Sequence, residues 1–106
     1  MQVSESQNST LIMIGFHALS DSLRLEILQL LRERELCVCD LCDRLNVNQS
    51  KLSFHLKTLK EAKLVSPRQS GRWIYYSLNL PQFALLENYI GNLHRHATIS
   101  SRVDCD

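Results

Sequence analysis

The chain has 106 residues, 44% hydrophobic and 22% charged, the size of one domain with a modest core. Apolar runs fall short of the ~18 residues of a membrane span, and the polar stretch Met1 to Thr10 contains no Lys or Arg, which argues against a secretory signal and for a cytoplasmic protein with reduced thiols. The formal net charge is +1, yet Arg44 to Arg72 holds seven basic residues against the single acid Glu61, a local +6 inside an otherwise acidic chain; such a block suits a polyanionic partner, although a solvated charged face has the same composition.

In chain order, residues 1–10 read as a flexible tail. The stretch "LIMIGFHALS" is apolar almost all round and predicts a helix buried on most sides or packed on a second subunit. Asp21 is placed to cap a second helix carrying Leu23, Ile27, Leu30 and Leu31 at helical spacing. A short third helix follows, with Val38, Leu41, Cys42 and Leu45 in one apolar stripe. Asn46 is suited to a left-handed stop and Asn48 to capping the fourth helix, "QSKLSFHLKTLKEA", whose buried face is Leu52, Leu56 and Leu59.

"LVSPRQSGRWIYYSL" is β-branched and aromatic on both sides of Ser70-Gly71 and predicts a hairpin. Pro81 opens a last helix with Phe83, Leu86, Ile90 and Leu93 in a stripe, and residues 98–106 read as a second flexible tail. The fold expected over residues 11–97 is mostly α with a β-hairpin (α+β), a winged helix–turn–helix.

A recognition helix reads the major groove with residues near its N-terminus. Here these are Gln49, Ser50, Lys51 and Ser53, with His55 one turn on. Gln and Ser carry base-reading chemistry. Lys51, Lys57 and Lys60 suit phosphates, which supply affinity and salt dependence, and Arg68 and Arg72 at the hairpin tip could reach the backbone or a minor groove. Each has a plainer reading: Gln49, Ser50 and Ser53 as first-turn polar residues, His55 as a partly buried helix residue.

"ELCVCDLC" places Cys37, Cys39 and Cys42 within eight residues. At about 100° per residue, Cys39 and Cys42 lie about 60° apart on a helix and Cys37 about 200° from Cys39. The three sulfurs therefore converge on one ion only if Cys37 sits at or before the helix start, or if the first turn unwinds. A ligand needing all three distorts the helix that supports the recognition helix, which couples the two sites. Three soft sulfurs suit a thiophilic three-coordinate ion; zinc usually takes four ligands, and Asp40 or Asp43 could complete such a site, although helical spacing does not obviously aim them at it. Cys42 on the apolar stripe also fits a small buried hydrophobe, whereas Cys37 and Cys39 read as more exposed. Cys105 reads as a bystander.

Together "ALSDSLRLEILQLL", "ELCVCDLC", "QSKLSFHLKTLKEAKLV" and "GRWIYYSL" resemble the ArsR/SmtB metalloregulators, specifically the arsenical-resistance repressors, from about Phe16 to Leu78. The resemblance implies a homodimer paired through its first and last helices and bound to an inverted-repeat operator. It implies As(III) or Sb(III) as inducer at Cys37, Cys39 and Cys42, with no permanent cofactor and no catalysis. Phe54 stands where that family often has a basic residue, and Ser22-Leu23 replaces a frequent Pro-Thr pair. Cadmium and lead sensors of the family draw thiols from an N-terminal segment, whereas no cysteine precedes Cys37 here; zinc sensors use an Asp-x-His opening that the last helix lacks, leaving His94 and His96 as solvent-exposed residues. Other readings of the thiols are a redox switch, a structural zinc knuckle or, least supported, a nucleophilic enzyme.

Overall fold

A computed structural model describes residues 5–98. The elements are α1 (Glu5–Ala18), α2 (Ser22–Glu33), β1 (Leu36–Cys37), α3 (Val38–Leu45), α4 (Gln49–Glu61), β2 (Val65–Ser70), β3 (Trp73–Leu78) and α5 (Leu80–His96). This is the expected winged helix–turn–helix with one addition. The hairpin β2–β3 is joined by the two-residue β1 into a three-stranded antiparallel sheet of order β1-β3-β2, in which Leu36 pairs with Tyr76 and Cys37 with Tyr75. Helix α1 runs back to Glu5, into the stretch expected to be a tail. Residues 1–4 and 99–106, with Cys105 and most of the expected C-terminal tail, lie outside the described residues.

The helix ends follow from local side-chain chemistry. Asp21 Oδ2 accepts the Arg24 backbone N–H at 3.1 Å and caps α2; Asn48 Oδ1 accepts that of Lys51 at 2.8 Å and caps α4. Asn46 ends α3 in the left-handed region, φ 53° and ψ 49°, which Asn tolerates better than most residues. Helix α4 ends with the Lys63 N–H on Lys60 O and the Leu64 N–H on Leu59 O, the paired bonds of a Schellman motif, with Lys63 at φ 64°. The hairpin turns on Gly71-Arg72, with Ser70 opposite Trp73, one residue later than the sequence suggests. Gly71 at φ 61° supplies the positive angle such a two-residue turn requires at its first position.

The core is built from Ile27 and Leu31 of α2, Leu41 of α3, Leu52, Leu56 and Leu59 of α4, Leu64, Val65 and Leu86. Helix α1 packs on α5 through a close approach at Gly15, where a Cβ would lie 2.9 Å from Leu86 Cδ2, and through buried Gln82, whose Nε2 donates to Leu11 O at 3.2 Å. Both helices leave apolar residues uncovered: Met13 and Ile14 on α1, and Tyr89, Ile90 and Leu93 on α5. Among the described residues no helix is long and apolar enough to cross a membrane.

Candidate DNA-reading face and thiol site

Helix α4 is pinned by its leucine stripe, Leu52, Leu56 and Leu59 being at most 2% exposed. That burial turns Gln49, Ser50, Lys51, Ser53, Phe54, Lys57 and Lys60 to solvent. The first-turn polar residues and the lysines thus form one continuous outer surface, with the free N–H groups of the α4 N-terminus at its edge.

His55 is not on that surface. It is 8% exposed, and its Nδ1 lies 3.1 Å from Arg24 Nη1 and 3.7 Å from Asp21 Oδ2. A guanidinium has only donors, so Nδ1 accepts from Arg24 through its lone pair. Arg24, itself buried, also donates through Nε to Ala18 O at 2.7 Å. The expectation that His55 reaches a base gives way to its plainer reading: it ties α4 to the end of α1 and the start of α2. The Asp21 carboxyl is held below its usual range, first by the Arg24 N–H and then by the positive charge of the Arg24 guanidinium.

The wing residues are both engaged within the chain. Arg68 makes a two-pronged ion pair with Glu35, Nε to Oε2 at 2.9 Å and Nη2 to Oε1 at 2.6 Å, and lies 5.0 Å over the Tyr75 ring. The pair lowers the Glu35 pKa and raises that of Arg68. Arg72 stands at the tip, 5.3 Å over the Trp73 ring.

The thiols are arranged around the start of α3. Cys37 is the residue before the helix, extended at φ −81° and ψ 165°, so the condition set by the spacing is met. Its Sγ lies 3.1 Å from Cys39 Sγ. Contrary to the expectation of exposure, Cys37 is 7% exposed, held in the short strand β1 opposite Tyr75. Cys39 is exposed and Cys42 half-buried against the core. Among the described residues no three His, Cys, Asp or Glu side chains are gathered as a metal site: two sulfurs are together and the third is not. The Cys37 thiol is raised above its usual pKa by the contact with Cys39 and by burial. That of Cys42 is raised by burial, then by Asp43 and Cys39.

The two halves meet in one shallow recess of about 240 Å³ lined by Val38, Cys39, Gln49, Arg72, Trp73 and Ile74. The exposed thiol, the first residue of the recognition helix and the wing tip share its walls. Residues 21–66, which span the capped α2, the thiols and the whole helix–turn–helix, match the family profile "Bacterial regulatory protein, arsR family". An arsenical resistance operon repressor of Staphylococcus aureus is 41% identical over 97% of this chain and 92% of its own length.

The chain belongs to the arsR family. A second arsR-type relative, the arsenical resistance operon repressor of Bacillus subtilis (strain 168), is 51% identical over 60% of this chain and 62% of its own length. The crystal structure of a possible transcriptional regulator for arsenical resistance superposes with a TM-score of 0.67 at 30% identity, covering 80% of this chain and 97% of that one. An arsR-family chain with a winged helix–turn–helix is a DNA-binding transcriptional regulator. Sequence reasoning missed β1, the Glu35–Arg68 pair and the part Arg24 plays. The last carried one signal, an arginine set on the apolar side of α2 next to its cap.

Proposed function

We propose that the chain is a homodimeric repressor that holds inverted-repeat operator DNA in its metal-free form and releases it when As(III) or Sb(III) binds Cys37, Cys39 and Cys42. The observation that carries this reading is the Cys37–Cys39 sulfur pair, 3.1 Å apart at the start of the helix beneath the recognition helix. Bringing Cys42 to that pair displaces either the first turn of α3, whose Val38 and Cys39 line the recess shared with Gln49 and Arg72, or the Cys37–Tyr75 pairing next to them in the chain. The DNA contacts proposed are Gln49, Ser50 and Ser53 to bases, and Lys51, Lys57, Lys60 and the wing-tip Arg72 to the backbone, with Arg68 available to a phosphate only when its pair with Glu35 opens.

The proton balance of binding bears on which ligand the site accepts. A divalent cation must expel the thiol protons, and its affinity falls as pH drops. Arsenous acid, As(OH)3, brings its own proton acceptors: three thiols and three As–OH groups give three As–S bonds and three waters, with no net release of protons. Three thiols therefore match the trivalent metalloid in number and in proton balance. Subunit pairing is supported by the apolar residues left uncovered on α1 and α5. A two-fold dimer sets its recognition helices about 34–36 Å apart along the duplex.

Operator binding by the parent and a Cys39→Ser variant, with and without arsenite, tests the reading. Arsenite displaces the parent and leaves the variant bound; equal displacement of both defeats the assignment of Cys39. The same sulfur contact favours one second reading, in which peroxide takes two electrons from Cys37 and Cys39 to give a disulfide and two waters. Release by peroxide, reversed by a dithiol, with no response to arsenite, would establish that reading instead.

A further inference from the structure

We propose that Phe54 is a specificity-determining residue of the recognition helix, its ring taking the 5-methyl group of a thymine in the major groove. This rests on the DNA-binding reading above. Phe54 is 63% exposed, whereas the other apolar side chains of α4, Leu52, Leu56 and Leu59, are 0%, 2% and 0% exposed. At about 100° per residue it lies opposite the leucine stripe, with Ser50 and Lys57 about 40–60° to one side and Lys51 and Thr58 about 40–60° to the other. It stands apart from the uncovered apolar residues of α1 and α5, and its neighbours on the helix surface are Ser50, Lys51, Ser53 and Lys57.

A ring set among hydroxyls and ammonium groups fits a partner that is polyanionic yet offers an isolated apolar group. Duplex DNA is such a partner. The phosphates answer the lysines, and the apolar group that base pairs display in the major groove is the thymine methyl, which aromatic and small apolar side chains contact. With no donor or acceptor on its side chain, Phe54 can take neither a phosphate nor the polar edge of a base. The ring is also pre-positioned. It packs edge-on against His55, centroids 5.2 Å apart at 78°, and His55 is fixed by Arg24.

The test begins with duplexes selected from random sequence by the parent protein. Each thymine of the selected half-site is then replaced by deoxyuridine, which keeps every hydrogen-bonding group and removes only the methyl. At one position the parent loses about fourfold in affinity, the worth of one buried apolar carbon, and Phe54→Ala loses nothing there. Melting temperatures of the two proteins agree, since the side chain is exposed. A selected site with no methyl-sensitive thymine overturns the proposal, as does the same sensitivity in Phe54→Ala. A parent that selects no duplex defeats the DNA-binding reading itself, a separate outcome.

Discussion

Arg24 and His55, 31 residues apart in sequence, meet inside the protein with Nη1 of one 3.1 Å from Nδ1 of the other. The contact joins α2 to the recognition helix, and through Ala18 O it joins both to the end of α1. The angle at which α4 presents its outer face is thus set partly by a buried polar contact and not by leucine packing alone.

Removing either partner leaves buried polar groups unpaired, which costs about 1–3 kcal/mol. Urea unfolding of Arg24→Ala and His55→Ala should show a loss in that range. Because His55 faces inward, its removal should weaken binding by a similar factor at every operator position except the thymine contacted by Phe54, whose ring packs on His55. A change in the bases preferred at other positions would show instead that His55 reads DNA.

Asp21 gives a pH dependence of definite sign. Its folded pKa lies below the ordinary 3.8, so its stabilising contribution is fully present above that value and is lost as pH falls through the lowered folded pKa. Asp21→Asn keeps a good capping side chain and removes the charge. The variant should be less stable than the parent at neutral pH, and the two unfolding curves should converge as pH falls below about 3.8. A gap independent of pH would assign the effect to geometry instead of charge.

The Glu35–Arg68 pair occupies a guanidinium that the wing could otherwise offer to a phosphate. Neutralising Glu35 frees it. Glu35→Gln should steepen the dependence of DNA affinity on salt by about one unit of slope per freed arginine, and Lys57→Ala should flatten it by about one. An unchanged slope in Glu35→Gln would mean that Arg68 stays off the duplex even when released.

Lys63 carries φ 64° at a position that glycine occupies without strain. Lys63→Gly should be neutral or stabilising by up to about 1 kcal/mol in thermal unfolding. Clear destabilisation would show that the Lys63 side chain, and not its backbone angle, governs this site.

What the sequence disclosed and what it hid divide by range. Asp21, Asn46 and Asn48 were legible as caps and stops because each acts on backbone within a few residues. The leucine stripes of α3 and α4 were legible because helical periodicity is local. The short β1 was not, since two residues carry no period and the strand exists only through its pairing with Tyr75 and Tyr76. The same strand holds the buried Cys37, and the long-range partners Arg24 and Glu35 redirect His55 and Arg68. Only a tertiary contact decides those three side chains. For the thiols the spacing leaves convergence to depend on where α3 begins, and Cys37 precedes it, although Cys42 does not join the Cys37–Cys39 pair.

The central claim is that the thiol site and the DNA-reading face draw on the same backbone around α3. Reciprocal binding tests it most directly: operator affinity with and without saturating arsenite, and arsenite affinity with and without saturating operator, on the same dimer. The account predicts that each ligand weakens the other by the same factor, in the range of about 5–150-fold. Arsenite binding equally well to free and operator-bound protein, with operator affinity unchanged, would contradict it.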